Sequence, residues 1–279
     1  MVYYMSTPDI KKRARTRLYS NWLLHIAAPL CVAASLLGIL FAGASVVSAL
    51  DTLLSLDMLT SNSIGAVFLV LFILAAIPLF YGLFVFFQRS AAEKPVSLLN
   101  LFHAFSSFRV FRRSFALFWA MLWRAVVHFA VPSLLFYEAS LHDIYGSGYF
   151  YPVHTFFGIP SSGTELAVCG TILLMLALAH YTGYFYAVDL ALIHDNKSVS
   201  LCFSAGAMIT KGKDGANLYI TYLVFSFIPL LVLSILTFGI LLLVYTLPYL
   251  LLSTFTLTDR VCKNGAALDR SRVFFDSHT

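Results

Sequence analysis

The sequence predicts an all-α membrane protein, a six-helix transmembrane bundle with two interfacial amphipathic helices. Of its 279 residues, 60% are hydrophobic and 11% are charged, against roughly 45–50% and about 25% in an average soluble domain. Several segments also exceed the roughly 18 nearly uncharged residues that indicate a membrane span. One water-soluble core cannot bury this much apolar surface, so the composition excludes a soluble globular protein.

Six apolar segments account for the bundle. The predicted spans are residues 22–50, 64–87, 115–137, 166–193, 218–236 and 239–257. The first apolar run is far longer than the h-region of about 7–15 residues in a cleavable signal peptide, so we expect it to stay as a helix. Gly239 permits a tight turn between the last two, antiparallel spans. Residues 1–258 are thus expected to form one polytopic membrane domain, and residues 259–279 a short cytoplasmic tail.

The basic residues predict how the chain is threaded. All 18 lysines and arginines except Arg124 lie before the first span, between the second and third, between the fourth and fifth, or after the sixth. The opposite loops contain no Lys or Arg, but they do contain acids such as Asp51 and Glu138. Because cytoplasmic loops are enriched in Lys and Arg, both termini are predicted to be cytoplasmic. This placement explains the net charge of +5 without a nucleic-acid partner.

Two further segments are predicted to lie on the membrane surface. Residues 8–20 begin with Pro8, which suits the first turn of a helix, and place Ile10 and Leu18 on one face beside a cationic cluster. Residues 96–113 carry an apolar stripe of Leu and Phe, which favours interfacial anchoring or a partner-protein groove. Amphipathic basic helices of this kind bind anionic lipid. The residues expected to contact lipid headgroups are Lys11, Lys12, Arg13, Arg15, Arg17, Arg109, Arg112 and Arg113.

Small residues recur at every fourth position in two of the spans. They are Ala34, Gly38 and Ala42 in the first span, and Ala179, Gly183, Ala187 and Ala191 in the fourth. Stripes of small side chains let helix backbones approach closely in a membrane. Both stripes are therefore predicted to be helix–helix contacts within the bundle.

Arg124 is the only lysine or arginine inside a predicted span, and His128 follows it one helical turn later. A charge near a helix centre costs about 2.5–3.5 kcal/mol on insertion scales, so it usually faces the bundle interior or water. Asp189 is the only carboxylate well inside any span, and Tyr186 lies on the same helical face. The predicted intramembrane polar site comprises Arg124, His128, Tyr186 and Asp189. It is either a structural ion pair, with Arg124 alternatively reaching lipid phosphates, or an anion site or proton relay.

A second basic feature lies between the fourth and fifth spans. It consists of Lys211, Gly212, Lys213 and Gly215. Such a turn either binds phosphate or faces lipid headgroups. The chain lacks a phosphate-binding glycine loop, a G-x-S-x-G elbow and an H-E-x-x-H helix. We therefore expect no catalytic residues, no metal site and no cofactor.

Three stretches carry a family resemblance. They are IKKRARTRLYSNW at 10–22, LFYGLFVFFQRSAAEKPVSLLNLFHAF at 79–105, and the region from ITKGK at 209–213 through FSFIPLLVLSILTFGILLLVYTLPY at 225–249. Together they resemble the domain-of-unknown-function 975 family of bacterial integral membrane proteins. Pro229 and Leu230 depart from the Gly-Trp that is usual in the family. The resemblance implies a bacterial plasma-membrane protein of this topology, and it implies no chemistry.

Two functions follow from these patterns. The favoured one is a non-enzymatic, multi-pass envelope module that partners anionic inner-leaflet lipid, another membrane protein or further copies of itself. The alternative is a small-molecule or ion transporter with its polar site around Arg124 and Asp189. A membrane-embedded enzyme would need a convergent set of acid, base or nucleophile at one depth, and the sequence of the spans indicates no such set.

Overall fold

A computed structural model of the protein describes residues 7–54, 58–145, 163–194, 196–211, 216–237 and 239–263. Its α-helices are α1 (Thr7–Ser20), α2 (Trp22–Leu54), α3 (Met58–Ala91), α4 (Phe108–Tyr145), α5 (Gly163–Thr182), α6 (Tyr184–Ile193), α7 (Val199–Lys211), α8 (Ala216–Phe225), α9 (Ile228–Leu236) and α10 (Leu247–Lys263). A 3₁₀ helix over Leu98–Phe105 precedes α4, and a π-helical turn over Leu242–Thr246 precedes α10.

Six stretches of the described chain are long and apolar enough to cross a membrane. They are Trp22–Leu54, Thr60–Ala91, Phe108–Leu141, Gly163–Ile193, Ala216–Leu236 and Leu242–Cys262. They confirm the predicted all-α, six-helix membrane bundle. Most helices run a few residues past the predicted spans, because hydropathy falls at the first polar residues while the helical hydrogen bonds continue.

Two of the six spans are interrupted. The fourth breaks at Gly183, between α5 and α6, and the fifth breaks between α8 and α9, just before Pro229. Proline lacks an amide hydrogen and its ring clashes with the carbonyl four residues earlier, which accounts for the second break. By contrast, Pro29, Pro78 and Pro132 lie within continuous helices.

The sixth span occupies the centre of the bundle. In its most apolar window 67% of the residues are buried, compared with 11% in the first span. It also has the lowest mean hydropathy of the six, 1.2. Lipid-facing helices need apolar surfaces, whereas a central helix can carry polar groups that bond to its neighbours. Accordingly, Thr246 and Ser234 share a hydrogen bond of 2.9 Å between the two arms of the last hairpin.

The helix predicted over residues 8–20 is present as α1, but its apolar face contacts protein. The side chains of Ile10, Ala14 and Leu18 are buried, and α1 packs along α10. Lys11 Nζ donates a 3.2 Å hydrogen bond to the carbonyl of Ser226, at the break in the fifth span. Burial lowers the pKa of the Lys11 ammonium. The amphipathic pattern thus docks α1 onto the bundle instead of into lipid.

The second predicted interfacial helix, over residues 96–113, is divided into two elements. The 3₁₀ helix ends at Phe105, and α4 starts anew at Phe108 as part of the third span. A Cβ atom on Gly82 would lie 1.9 Å from the carbonyl oxygen of Leu101, so the 3₁₀ segment rests directly on the backbone of α3. This close approach holds the segment against the protein.

The two small-residue stripes have different outcomes. In the fourth span Ala187 contacts Gly206 and Gly183 contacts Thr210, which confirms a helix contact there. The stripe at Ala34, Gly38 and Ala42 is exposed, so that prediction is wrong within this chain. Spacing alone does not reveal which face of an apolar helix meets a neighbour.

The boundary predicted at residues 258 and 259 also shifts. Helix α10 continues to Lys263, and Val261 and Cys262 are buried in the core. The remainder of the predicted tail, residues 264–279, lies outside the described residues.

Candidate functional site

Arg113 organises the connection between α6 and α7. Its Nε and Nη2 atoms donate to the carbonyl of Ala191 at 3.3 and 2.7 Å. Nη2 also donates to the carbonyl of His194 at 2.9 Å, and Nη1 donates to the carbonyl of Lys197. The last carbonyls of a helix lack intrahelical donors, and the five N–H groups of arginine suit them. Arg113 was predicted to contact lipid headgroups; it is buried and caps α6 instead.

Helix α7 folds back antiparallel along α6. Gly206 permits this approach, since a Cβ atom there would lie 2.8 Å from the backbone nitrogen of Ala187. One turn later, Thr210 packs against Gly183. The fold-back brings Phe203 onto α4 and Lys211 beside α5.

Arg124 lies among aromatic rings. Its guanidinium carbon is 4.0 Å from the ring centroid of Phe203 and 5.3 Å from that of Tyr184, and Nη1 donates to the carbonyl of Ala120 at 2.9 Å. A cation over an aromatic face is stabilised by about 0.5–2 kcal/mol, depending on desolvation. The described contacts of Arg124 are thus to these two rings and to a carbonyl of its own helix, whereas the ion pair with Asp189 was one alternative for this residue.

The other two predicted site residues face the bundle core. Asp189 and Tyr186 are both fully buried on α6. The phenol of Tyr186 donates a 2.9 Å hydrogen bond to the carbonyl of Ala216, which ties α6 to the start of α8. The four predicted residues thus separate into a pair on α4 and a pair on α6.

His128 joins a cluster that sequence reasoning missed. Its ring stacks on the ring of His180, with 4.9 Å between centroids and 13° between planes. Tyr184 meets both rings edge-on, at 5.6 Å from His128 and 5.8 Å from His180. In the sequence, the only signal of this cluster is that His180 and Tyr184 lie four residues apart, on one helical face.

A cleft of about 410 Å³ opens beside this cluster. It is lined by His180, Gly183, Tyr184, Ala207, Thr210, Lys211 and Asn217. None of these described lining residues is acidic. The Oδ1 atom of Asn217 is buried, and the described part of the chain offers it no hydrogen-bond partner.

In the described part of the chain, no group of three His, Cys, Asp or Glu side chains is placed to hold a metal ion. Residues 212–215, which include the other members of the predicted basic turn, lie outside the described residues. The same is true of Arg270 and Arg272, which were predicted to be cytoplasmic.

Comparison with known proteins gives no match: no family model, no curated protein and no solved structure matches this chain. The resemblance to the domain-of-unknown-function 975 family therefore stays a prediction. What bears on function is the chemistry of the described side chains.

Proposed function

We propose that this chain is a non-enzymatic, multi-pass module of the bacterial plasma membrane that holds anionic lipid at its cytoplasmic end. One observation carries this proposal. The apolar face of α1 is covered by the bundle, while Lys12, Arg13 and Arg15 project from the opposite face and are exposed. Each cationic side chain near an anionic leaflet contributes about 1 kcal/mol to binding at the membrane surface.

Other basic residues belong to the same end of the bundle. Arg17 forms an ion pair with Glu93, so the end of α1 lies beside the end of α3. Arg109 and Arg112 are exposed in the first turns of α4, which follows α3 through the short 3₁₀ segment. The positive-inside rule assigns such an end to the cytoplasm. Together these residues offer anionic lipid a cationic rim around the bundle.

The proposal predicts a lipid-dependent stability that needs the α1 cations. The wild-type chain and the triple variant Lys12→Gln, Arg13→Gln, Arg15→Gln are reconstituted in nanodiscs of phosphatidylcholine with or without phosphatidylglycerol. We expect phosphatidylglycerol to raise the Tm of the wild type, and the triple variant to lose most of that rise. The effect should weaken above about 0.5 M salt, because salt screens exposed charges.

The matched control is Asp51→Asn, an exposed charge change at the end of α2 remote from α1. It should keep the wild-type response to phosphatidylglycerol. A triple variant that responds as strongly as the wild type would disprove a role for α1 in lipid binding.

A small-molecule or ion transporter is the second candidate, and the cleft beside His180 and Lys211 supports it. The predicted coupling of Arg124 to Asp189 does not support it, since the two side chains belong to separate groups. For a transporter, we expect Lys211→Gln to abolish uptake by proteoliposomes at an unchanged protein level.

A further inference from the structure

The cleft lies where three features of the fold meet. One wall is the break at Gly183 between α5 and α6, the second is the last turn of α7 with Lys211, and the third is the first turn of α8 with Asn217. Thr210 and Asn217 both pack against Gly183 and hold these walls together. A Cβ atom added to Gly183 would lie 3.1 Å from the side chain of Thr210 and 2.6 Å from Oδ1 of Asn217. The packing of these helices therefore determines the shape of the cleft.

The side chains around the cleft are basic. Lys211 and His180 line it directly. Behind them, His128 stacks on His180, and the guanidinium of Arg124 lies over the ring of Tyr184. These nitrogen-bearing groups come from α4, α5 and α7. Lys211 and Arg124 carry positive charge and the described lining residues include no carboxylate, so an anion placed here would be attracted.

Asn217 adds an uncommitted polar group. Its Oδ1 atom is buried and has no hydrogen-bond partner among the described residues. The amide nitrogen of the same side chain carries two N–H donors, which the acceptor oxygens of a ligand can engage.

We propose that this cleft binds a phosphate group, with Lys211, His180 and Asn217 as its donors. Arg124 supplies positive charge from behind and does not touch the ligand. Ligand pockets usually measure about 300–1,000 Å³, so a cleft of about 410 Å³ accommodates a phosphate that belongs to a larger molecule. The site goes beyond lipid binding by α1, because it uses none of the α1 cations.

The test is calorimetric titration of the purified full chain in a non-ionic, phosphate-free detergent. One arm uses inorganic phosphate, and the other uses short-chain phosphatidic acid. Binding in the first arm identifies a soluble phosphate ligand, binding only in the second identifies a lipid headgroup, and either result supports the site. We expect Lys211→Gln and His180→Gln each to weaken binding about tenfold or more, the effect of losing a hydrogen bond to a charged group.

The control is Lys94→Gln, an exposed lysine outside the cleft, which should bind like the wild type. Lys211→Arg keeps the charge and should retain most of the affinity, which separates lost binding from lost folding. Absence of binding in both arms up to 10 mM, or wild-type affinity in Lys211→Gln, would overturn the proposal. Neither result would bear on the phosphatidylglycerol response assigned to α1, so each proposal can be refuted without the other.

Discussion

Replacing Arg113 with methionine is expected to lower the free energy of unfolding by about 3–5 kcal/mol. The carbonyls of Ala191, His194 and Lys197 would lose their donor, and a buried unsatisfied polar group costs about 1–3 kcal/mol. Methionine would fill part of the space of the buried arginine stem, but it would supply none of the N–H donors of the guanidinium. The Tm in detergent, followed by fluorescence-detected size-exclusion chromatography, measures the loss.

The neighbouring arginine provides a matched control. Arg112 is exposed, and Arg112→Met should change the free energy of unfolding by less than about 0.5 kcal/mol, as surface substitutions usually do. If both variants lost the same small amount of stability, the capping of α6 by Arg113 would be refuted.

Gly82→Ala is expected to destabilise the protein by about 3 kcal/mol or more. By helix propensity alone the change should stabilise α3 by up to about 1 kcal/mol. The added Cβ atom would, however, lie 1.9 Å from the carbonyl oxygen and 2.5 Å from the carbonyl carbon of Leu101. Overpacking typically costs about 1–3 kcal/mol, and backbone atoms yield less readily than side chains. The Tm of the purified variant, measured as for Arg113, reports the shift.

Gly65→Ala is the control within the same helix, because here the added methyl group is not expected to lower the Tm. Nothing lies within 4 Å of a Cβ atom at Gly65, so this variant should match or slightly exceed the wild-type Tm. Equal stability of the two alanine variants would mean that the 3₁₀ segment does not pack on Gly82.

The candidate site shows how far charge reasoning reaches. Arg124 and Asp189 were paired in the prediction because they are the only opposite charges inside the spans. The structure instead covers the guanidinium of Arg124 with the ring of Phe203. That ring comes from α7, a helix too short to be recognised as a span and folded back through Gly206. No local pattern indicates such a return, because it depends on backbone contact between distant residues.

The sequence by itself determined that the chain is helical, that it is an integral membrane protein and that it has six apolar spans. These properties follow from hydropathy summed over each segment, which is a local quantity. Only the tertiary structure decided that α10 is central, that α1 turns its apolar face to protein, and that Arg113 is buried while Arg112 is exposed. In lipid, apolar faces are not driven toward one another, so close packing and hydrogen bonds between helices select their partners.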